Sequence, residues 1–491
     1  MGISLATGAA ILALFGDPAA RWDGVSLVRV HPQDRAQLEQ AMELAEEVWS
    51  ERPGAAGIVD LAVRHEDLGA LELLVGAYEI RTVNLASEIA EETDRLSHRD
   101  FSPPLFGGIG DSLFFDDFRN LEELETTWAE LAEALPTVLS REQIGVSYEG
   151  RKIWMFEIST ASPDAPAVFI NFGQHAREWI TPMAATYFLS RVVQDYASDT
   201  ELQNLLAQVR VYLVPLVNPD GYEYCWTDDR FWRKNRRPEF GVDLNRNWSR
   251  AWGEEPGSSD DPGHGNYRGT GPFSEPETAA LRAFVAGHPD IVAHADIHSY
   301  SQLVLYPLSY LSWEVPPLQG KARAWAEGQA AVMSELNGVE YTPLRGSELY
   351  PATGVAMDWG FGELDLMSFT YELRPGADVD FPEGFVLPPE EIIPTSQEAR
   401  EGILELLRYA AEDGPDPVEP PPPNPPLPED EDSEAELGTG EDGRPNLEAG
   451  LDGRAGCACR ARGRDRLDAA WLLLLGLGTR RRRQLRRPKS A

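Results

Sequence analysis

A short apolar run that ends at a histidine and a glutamate is the feature that most constrains how this chain folds. Residues 168–172 (Val-Phe-Ile-Asn-Phe) are mostly β-branched and aromatic and are closed by Gly173, which predicts a buried strand. Residues 180–193 are predicted to form a helix, so His175 and Glu178 fall in the loop between strand and helix. Open α/β sheets bind their ligands at the carboxyl ends of strands, and the pattern therefore indicates an α/β fold with a site in this loop.

The three-residue spacing of His175 and Glu178 allows both side chains to face one metal ion. Imidazole nitrogen and carboxylate oxygen are ligands that Zn²⁺ accepts in catalytic sites, where a third protein ligand and one open position complete the shell. Such a pair also arises by chance on solvated surfaces. A zinc site therefore requires a third ligand from elsewhere in the chain.

The chain has eight histidines, and few of them are suitable as the third ligand. His264 and His288 lie in loop-like sequence rich in glycine and proline. His294 and His298 lie on the alternating segment 291–300, which predicts a strand with both side chains on one face. His294 is interpreted as a buried residue with satisfied hydrogen bonds, whereas His298, at the carboxyl end, is the predicted third ligand.

Five motifs follow one another between residues 173 and 374. They are residues 173–178 (Gly-Gln-His-Ala-Arg-Glu), 231–234 (Phe-Trp-Arg-Lys), 242–248 (Val-Asp-Leu-Asn-Arg-Asn-Trp), 297–302 (Ile-His-Ser-Tyr-Ser-Gln) and 369–374 (Phe-Thr-Tyr-Glu-Leu-Arg). With these motifs, the segment from about Phe114 to Ala411 resembles the zinc metallocarboxypeptidases of the carboxypeptidase A/B type. The resemblance implies an enzyme that removes C-terminal residues from peptides or proteins and carries one Zn²⁺ in its catalytic domain. We expect a monomer.

The resemblance also implies roles for residues near the metal. Glu372 would be the general base that activates water and returns the proton to the leaving amine, and Arg233 would stabilise the oxyanion. Asp243 would accept a hydrogen bond from the second ring nitrogen of His175. Taken alone, Glu372 also fits an exposed strand charge and Arg233 a solvated basic turn. The implied zinc ligands are His175, Glu178 and His298.

Substrate binding follows from the same resemblance. Asn245 and Arg246 would hold the free carboxylate of the substrate, because a guanidinium binds a carboxylate with two parallel hydrogen bonds. Tyr350 would close over the substrate on a loop that Pro351 stiffens. The residues implied to line the subsites upstream of the cut bond are Arg177, Ser299 and Tyr300.

Specificity would depend on Met357, at the base of the pocket for the C-terminal side chain. B-type enzymes of this family carry an aspartate there for Lys or Arg, whereas A-type enzymes carry an apolar residue. Met357 therefore predicts A-type release of aromatic or large aliphatic residues. The alternatives are that neighbouring Asp358 or Glu348 reaches a basic side chain, or that Met357 is only a core residue.

The N-terminal part has its own pattern. Residues 21–98 mix strand-like and helix-like segments, with a helix expected over 33–50, and resemble the activation segment of secreted procarboxypeptidases. A protease would release this small α+β prodomain by cutting near Arg95 or Arg99, within or beside the connecting residues 99–113. The alternative is an appended domain that stays attached.

The catalytic domain, residues 114–411, is expected to be an α/β domain. The resemblance implies a mixed, mostly parallel sheet of about eight strands with helices on both faces. The zinc ion would lie in the crevice at the carboxyl ends of the strands.

The two ends of the chain suggest export. Residues 1–20 contain an apolar run that predicts a signal peptide cleaved after Ala20. Residues 412–456 form a Pro-rich, acidic linker. Residues 457–491 run from cysteines through an apolar stretch to arginines, which resembles a bacterial C-terminal sorting signal of the kind found in myxobacteria. Transient membrane association through residues 467–483 and a secreted or cell-surface location are therefore expected.

Charge and cysteine content narrow the functional classes. The formal net charge of −38 argues against nucleic-acid binding. Cys225 is the single cysteine of the expected catalytic domain, so a disulfide cannot form within it. Three hypotheses remain: a secreted carboxypeptidase, a related zinc amidohydrolase acting on cell-wall peptides or N-acyl amino acids, and a non-catalytic surface binding module. Asn245, Arg246 and Tyr350 favour the first.

Overall fold

The computed structural model describes residues 17–49, 59–98, 114–254, 257–311, 318–376 and 384–413. The predicted connecting segment with Arg99, the signal segment up to residue 16, and the linker and tail beyond residue 413 lie outside these described residues. Among the helices that the structure describes, none combines the length and the apolar character needed to cross a membrane.

The N-terminal unit is a small α+β fold, as predicted. Its elements are β1 (Val25–Val30), α1 (Arg35–Glu43), β2 (Glu47–Val48), β3 (Val59–Arg64), α2 (Leu68–Val75), β4 (Glu79–Thr82) and α3 (Leu85–Ser97). The strands form an antiparallel sheet in the order β2-β3-β1-β4. The helix expected over 33–50 ends at Glu43, because the backbone N–H groups of Glu46 and Trp49 donate to carbonyls of β3 instead.

The catalytic body contains an eight-stranded sheet, which confirms the predicted architecture. Its elements are α4 (Leu121–Ala134), β5 (Leu139–Val146), β6 (Lys152–Ile158), β7 (Ala167–Phe172), α5 (Ile180–Asp195), α6 (Thr200–Leu206), β8 (Arg210–Val214), α7 (Pro219–Thr227), α8 (Pro276–Ala286), β9 (Ile291–Ser301), β10 (Leu303–Tyr306), α9 (Leu318–Asn337), β11 (Thr342–Arg345), α10 (Gly346–Leu349), α11 (Ala356–Leu364), β12 (Met367–Gly376) and α12 (Ile392–Asp413). The strand order is β11-β10-β12-β9-β7-β8-β6-β5, and the central strands β12, β9, β7 and β8 run parallel.

Helices cover both faces of this sheet. Helices α5, α9 and α12 pack on one face, with residues such as Met183, Trp325 and Leu406 in the larger apolar cluster. Helices α8 and α11 pack on the other face, where Phe284 and Trp359 belong to a second cluster. Every residue of β7 is buried, which explains why its sequence is a continuous apolar run.

The segment before β1 packs against the catalytic body. Pro18 and Ala19 are buried, and the carbonyl of Pro18 accepts a hydrogen bond from the backbone N–H of Arg230. Ala20–Trp22 form one turn of 3₁₀-helix. The signal cleavage predicted after Ala20 therefore falls inside a packed segment, and a cut upstream of residue 17 would leave these contacts intact.

Candidate active site

A sharp turn after β7 brings the first two candidate ligands to the sheet edge. Gly173 has a φ of 68°, and a Cβ there would lie 2.6 Å from Leu216 Cδ1, so a side chain does not fit. The following loop is held by a hydrogen bond from the N–H of Ala176 to the carbonyl of Arg233. The turn thus explains why glycine precedes the motif that carries His175 and Glu178.

His175, Glu178 and His298 form a compact buried cluster that is able to hold a metal ion. The distance is 2.8 Å from His175 Nδ1 to Glu178 Oε1 and 3.0 Å from His298 Nδ1 to Glu178 Oε2. The two Nδ1 atoms lie 3.0 Å apart. Zinc bonds of about 2.0–2.1 Å place the corners of a tetrahedral shell about 3.3 Å apart, so these separations are close to those of a zinc shell.

The second nitrogen of each ring contacts a carboxylate. His175 Nε2 lies 3.0 Å from Asp243 Oδ1, and His298 Nε2 lies 2.9 Å from Asp296 Oδ2. A carboxylate accepts hydrogen bonds only, so each Nε2 carries a proton, and Nδ1 is the nitrogen whose lone pair would bind a metal ion in place of a proton. Both lone pairs then meet at Glu178, which is the donor set that a Zn²⁺ ion requires.

The carboxylates of the cluster remain ionised despite burial. Burial by itself raises the pKa of Glu178, but the rings of His175 and His298 outweigh it and lower the pKa below its usual range. Burial likewise raises the pKa of Asp243, and Arg233 followed by His175 lowers it well below the usual range. The site therefore presents negative charge to a cation.

Arg233 lies next to the cluster, as does the candidate carboxylate clamp, which consists of Asn245, Arg246 and Tyr350. Arg233 donates from Nε and Nη2 to Asp243 Oδ2, both at 3.1 Å, so Asp243 joins Arg233 to the ring of His175. Arg246 Nη2 lies 3.5 Å from the hydroxyl of Tyr350, and its Nε donates to the carbonyl of Gly257 at 3.0 Å. The residues predicted to bind the carboxylate are therefore brought together.

Asn245 is also adjacent to the cluster. Its Oδ1 accepts from the N–H of Ala356, and its Nδ2 lies 3.2 Å from His298 Nε2. The loop after Tyr350 approaches the clamp closely at Gly354, where φ is 69° and a Cβ would lie 2.4 Å from the carbonyl oxygen of Arg246. Glycine at residue 354 thus lets the loop pack against Arg246.

Met357 lies in an apolar cluster with Leu303, Leu305 and Leu349, and only 1% of its surface is exposed. The two nearby carboxylates have partners within the protein. Asp358 accepts hydrogen bonds from the backbone N–H of Ser309. Glu348 accepts from the backbone N–H of Arg345 and lies 3.7 Å from its guanidinium. Asp358 is therefore buried and engaged by the backbone, whereas the Glu348 side chain is 46% exposed.

Two of the three predicted subsite residues, Arg177 and Tyr300, lie next to the N-terminal unit. Arg177 Nη1 lies 3.5 Å from Glu47 Oε2 of β2, and the Arg177 guanidinium lies 4.3 Å from the ring centre of Phe385. The ring of Tyr300 packs edge-on against Phe385 at 5.1 Å. Ser299 is buried, and its backbone N–H donates to Glu178 Oε2 at 3.3 Å.

Aromatic and charged contacts join the N-terminal unit to the same region. Trp22 and Trp49 pack around Phe231, with ring centres 5.4 and 5.2 Å away. Arg230 Nε donates to Glu92 Oε2 at 2.5 Å in an ion pair whose side chains are 1% and 2% exposed. The N-terminal unit therefore covers residues close in sequence to His175, Arg233 and His298.

Comparisons with known proteins agree with this geometry. The family model for zinc carboxypeptidases matches residues 124–402. Rat carboxypeptidase B is 34% identical over 400 residues, which cover 78% of this chain and 93% of that protein. This chain belongs to the zinc carboxypeptidase family. It is therefore a metallocarboxypeptidase, a hydrolase of peptide bonds, and His175, Glu178 and His298 form its candidate zinc site.

Other relatives of this carboxypeptidase include both specificity types. Mouse carboxypeptidase A1 is 31% identical over 421 residues, covering 81% of this chain and 96% of that protein. The crystal structure of thrombin-activatable fibrinolysis inhibitor aligns with a TM-score of 0.69 and 28% identity, over 80% of this chain and 99% of that one. Carboxypeptidase A from Helicoverpa armigera also aligns with a TM-score of 0.69, at 26% identity, with 80% and 99% of the two chains covered. Proteins named carboxypeptidase A and carboxypeptidase B are therefore both similar to this chain.

One member of the site of this carboxypeptidase, Asp296, was not among the residues predicted from the sequence. It contacts His298, and its position in the sequence contains a signal. The alternation His294-x-Asp296-x-His298 on a strand places all three side chains on one face. A carboxylate two residues before a candidate ligand, on the same face, is a candidate partner for it.

Proposed function

We propose that this carboxypeptidase releases aromatic and large aliphatic residues from the C-termini of peptides, with Glu372 as the general base. The observation that carries the proposal is the metal cluster with two neighbours of His298: Glu372 lies opposite it on the adjacent strand, and Asn245 Nδ2 lies 3.2 Å from its Nε2. Together they supply what exopeptidase chemistry requires: activation of water, stabilisation of an oxyanion and recognition of a free carboxylate.

Each residue has a separate task in this reaction. His175, Glu178 and His298 would hold a zinc ion, which would supply Lewis acidity at this point when bound. Glu372 takes a proton from the attacking water and delivers it to the departing amine. Arg233 stabilises the negative charge that develops on the carbonyl oxygen, and its contact with Asp243 fixes the guanidinium in place.

The clamp makes the enzyme an exopeptidase. Asn245 and Arg246 bind the terminal carboxylate, and Tyr350 closes the site above it. Support comes from the distance of 3.5 Å between Arg246 Nη2 and the hydroxyl of Tyr350. An enzyme that binds its substrate in this way reads a free C-terminus and leaves an amidated one uncut.

The apolar surroundings of Met357 support the preference for apolar C-terminal residues. A basic side chain entering this pocket would lose its water shell without meeting an ionised partner, which is costly. Asp358 does not supply that partner, since burial raises its pKa to about 7 and Ser309 occupies its oxygens.

The N-terminal unit acts as an inhibitory activation segment. Support comes from its contacts with Arg177, Phe231 and Phe385, which lie around the route to the cluster. Arg95 lies in the last turn of α3 and pairs with Asp117, so a protease would have to unwind the helix to cut there. Arg99 lies two residues beyond α3 and is the preferred cleavage site.

The protein acts outside the cell. The order of cysteine, apolar residues and arginine in residues 457–491 supports a bacterial sorting or anchoring signal at the C-terminus. The net charge of −38 suits a soluble exported protein.

Release of free amino acids from two peptides, one ending in Phe and one in Arg, tests the proposal. The full chain is assayed before and after limited trypsin treatment, with zinc or with a chelator. We expect chelator-sensitive release of Phe that appears only after trypsin, and no release from the amidated Phe peptide. Release of Arg alone contradicts the specificity. Hydrolysis of an N-acyl amino acid with no release from either peptide favours the amidohydrolase.

A further inference from the structure

Asp296 contacts His298 in the same way that Asp243 contacts His175. Its Oδ2 lies 2.9 Å from His298 Nε2, the ring nitrogen that does not face Glu178. Asp296 and Asp243 are both completely buried, with 0% of their surface exposed. Each histidine of the metal cluster is therefore backed by its own carboxylate.

Two amide side chains fix the orientation of Asp296. Gln174 Nε2 donates to Oδ2 at 2.7 Å, and Asn171 Nδ2 donates to Oδ1 at 2.6 Å. With the N–H of His298, the carboxylate accepts three hydrogen bonds from the protein. All three neighbours are donors, so Asp296 is held as an acceptor on both of its oxygens.

The orientation of Gln174 is itself determined. Its Oε1 accepts from the indole Nε1 of Trp248 at 3.1 Å. An indole N–H can only donate, so Oε1 must face Trp248 and the amide NH₂ must face Asp296. This assignment does not depend on the state of His298.

The orientation of the Asn171 amide follows from its two neighbours, Asp296 and His294. His294 Nε2 lies 2.8 Å from Asn171 Oδ1, and His294 Nδ1 lies 2.8 Å from the hydroxyl of Ser368. Burial lowers the pKa of His294 to about 4, so the ring is neutral and carries one N–H. Asp296 only accepts, so the Asn171 NH₂ faces Asp296 and the Asn171 Oδ1 accepts from the Nε2 N–H of His294, while the Ser368 hydroxyl donates to Nδ1.

Strand register creates this chain of hydrogen bonds. Asn171 on β7 lies opposite Asp296 on β9, and Ser368 on β12 lies opposite His294. Side chains at paired positions of parallel strands lie on the same face of the sheet. The network is thus built into the rigid centre of the fold, where all its members are at most 1% exposed.

We propose that Asp296 is a positioning residue for the zinc ligand His298. It orients His298 as Asp243 orients His175. It holds the proton on Nε2 and fixes the ring so that the Nδ1 lone pair faces Glu178. The inference rests on the proposed ligand set. Carboxylate partners of this kind orient metal-binding histidines and increase their basicity. Retention of zinc therefore depends on both carboxylates, not on Asp243 alone.

The test is the zinc affinity of the full chain, measured by competition with a chromophoric chelator. Asp296→Asn should raise the Kd for Zn²⁺ by about 10- to 100-fold, the usual cost of losing such a partner. Gln174→Leu, which removes one donor to Asp296, should raise it by a smaller factor. Asp220→Asn is the matched control, because Asp220 is a buried carboxylate bonded to Ser147 and the Glu149 N–H. Its Kd should equal that of the wild type.

Two further measurements separate the possible results. Thermal unfolding of the metal-free proteins shows whether each variant folds, and the visible spectrum of the Co²⁺-loaded protein should change for Asp296→Asn but not for Asp220→Asn. If His298→Ala binds zinc like the wild type, the ligand set is wrong and the inference fails with it. If His298→Ala loses zinc while Asp296→Asn and Gln174→Leu retain the wild-type Kd, the ligand set holds and the role of Asp296 is overturned.

Discussion

Glu372 on β12 lies directly opposite His298 on β9. The strands are parallel, so paired residues project from the same face of the sheet. A candidate general base is therefore held beside a candidate metal ligand by backbone pairing. Glu372 is 6% exposed, which keeps its carboxylate in a site of low water content.

Glu372→Gln should lower kcat by about 10²- to 10⁴-fold, the range expected for loss of a general base. The zinc Kd should not change, because Glu372 is not one of the three clustered ligands. Steady-state kinetics on a peptide ending in Phe, together with chelator competition, checks both expectations. Wild-type kcat in the variant would remove Glu372 from the mechanism.

The metal cluster was predictable from sequence because its signals are local. His175 and Glu178 lie three residues apart next to a glycine that a turn requires, and His298 lies near the end of an alternating strand. The eight-stranded fold followed from the resemblance of five motifs. Each of these signals depends on residues within one strand or one loop.

Contacts between distant segments were not predictable in the same way. Asp296 meets Asn171 only because β9 pairs with β7 in one register, and one-residue slippage would place them on opposite faces. Arg95 was expected in an exposed connection, but α3 extends to Ser97 and Arg95 pairs with Asp117. The helix begins at Leu85, and the side chain of the preceding Asn84 caps it by accepting a hydrogen bond from the N–H of Ala86.

Met357→Asp should convert the preference of the enzyme toward basic C-terminal residues. The new carboxylate would pair with Lys or Arg, and it would make the pocket unfavourable for Phe by more than about tenfold. The ratio of kcat/KM for peptides ending in Arg and Phe measures the change. Met357→Leu is the control, because it keeps the pocket apolar and should keep the ratio. Equal ratios in all three proteins would show that Met357 does not face the substrate.

Asp358 should make stability depend on pH. Burial raises its pKa from 3.8 to about 7, against the opposing hydrogen bonds from Ser309. The folded protein therefore keeps a proton that the unfolded chain releases near pH 4, and stability falls as pH rises from about 4 to about 7. The expected slope is about 1.4 kcal/mol per pH unit for this group. Asp358→Asn should lack this component, so denaturation curves at several pH values should show the wild type losing stability relative to the variant as pH rises from about 4 to about 7. Parallel pH profiles would contradict it.

Glu92→Gln should weaken the contact between the N-terminal unit and the catalytic body. Arg230 and Glu92 form a buried ion pair, and loss of the Glu92 charge leaves Arg230 buried without an ionised carboxylate partner in that pair. Removing one partner of such a pair costs about 3–5 kcal/mol. If the N-terminal unit is inhibitory, the uncleaved variant should hydrolyse the Phe peptide measurably faster than the uncleaved wild type. After limited trypsin treatment the two should have equal kcat/KM, because the substituted residue is removed with the N-terminal unit.

Glu46→Gln is the matched control for this prediction. Glu46 pairs with Arg64 at 2.5 Å within the N-terminal unit, and about a third of each side chain is exposed. An exposed pair of this kind contributes about 0–1 kcal/mol, so its loss should leave the latency unchanged. Higher activity in uncleaved Glu92→Gln but not in uncleaved Glu46→Gln identifies the Arg230 contact as part of the inhibition. Equal latency in all three proteins means that Trp22 and Trp49 around Phe231 hold the unit in place without the ion pair.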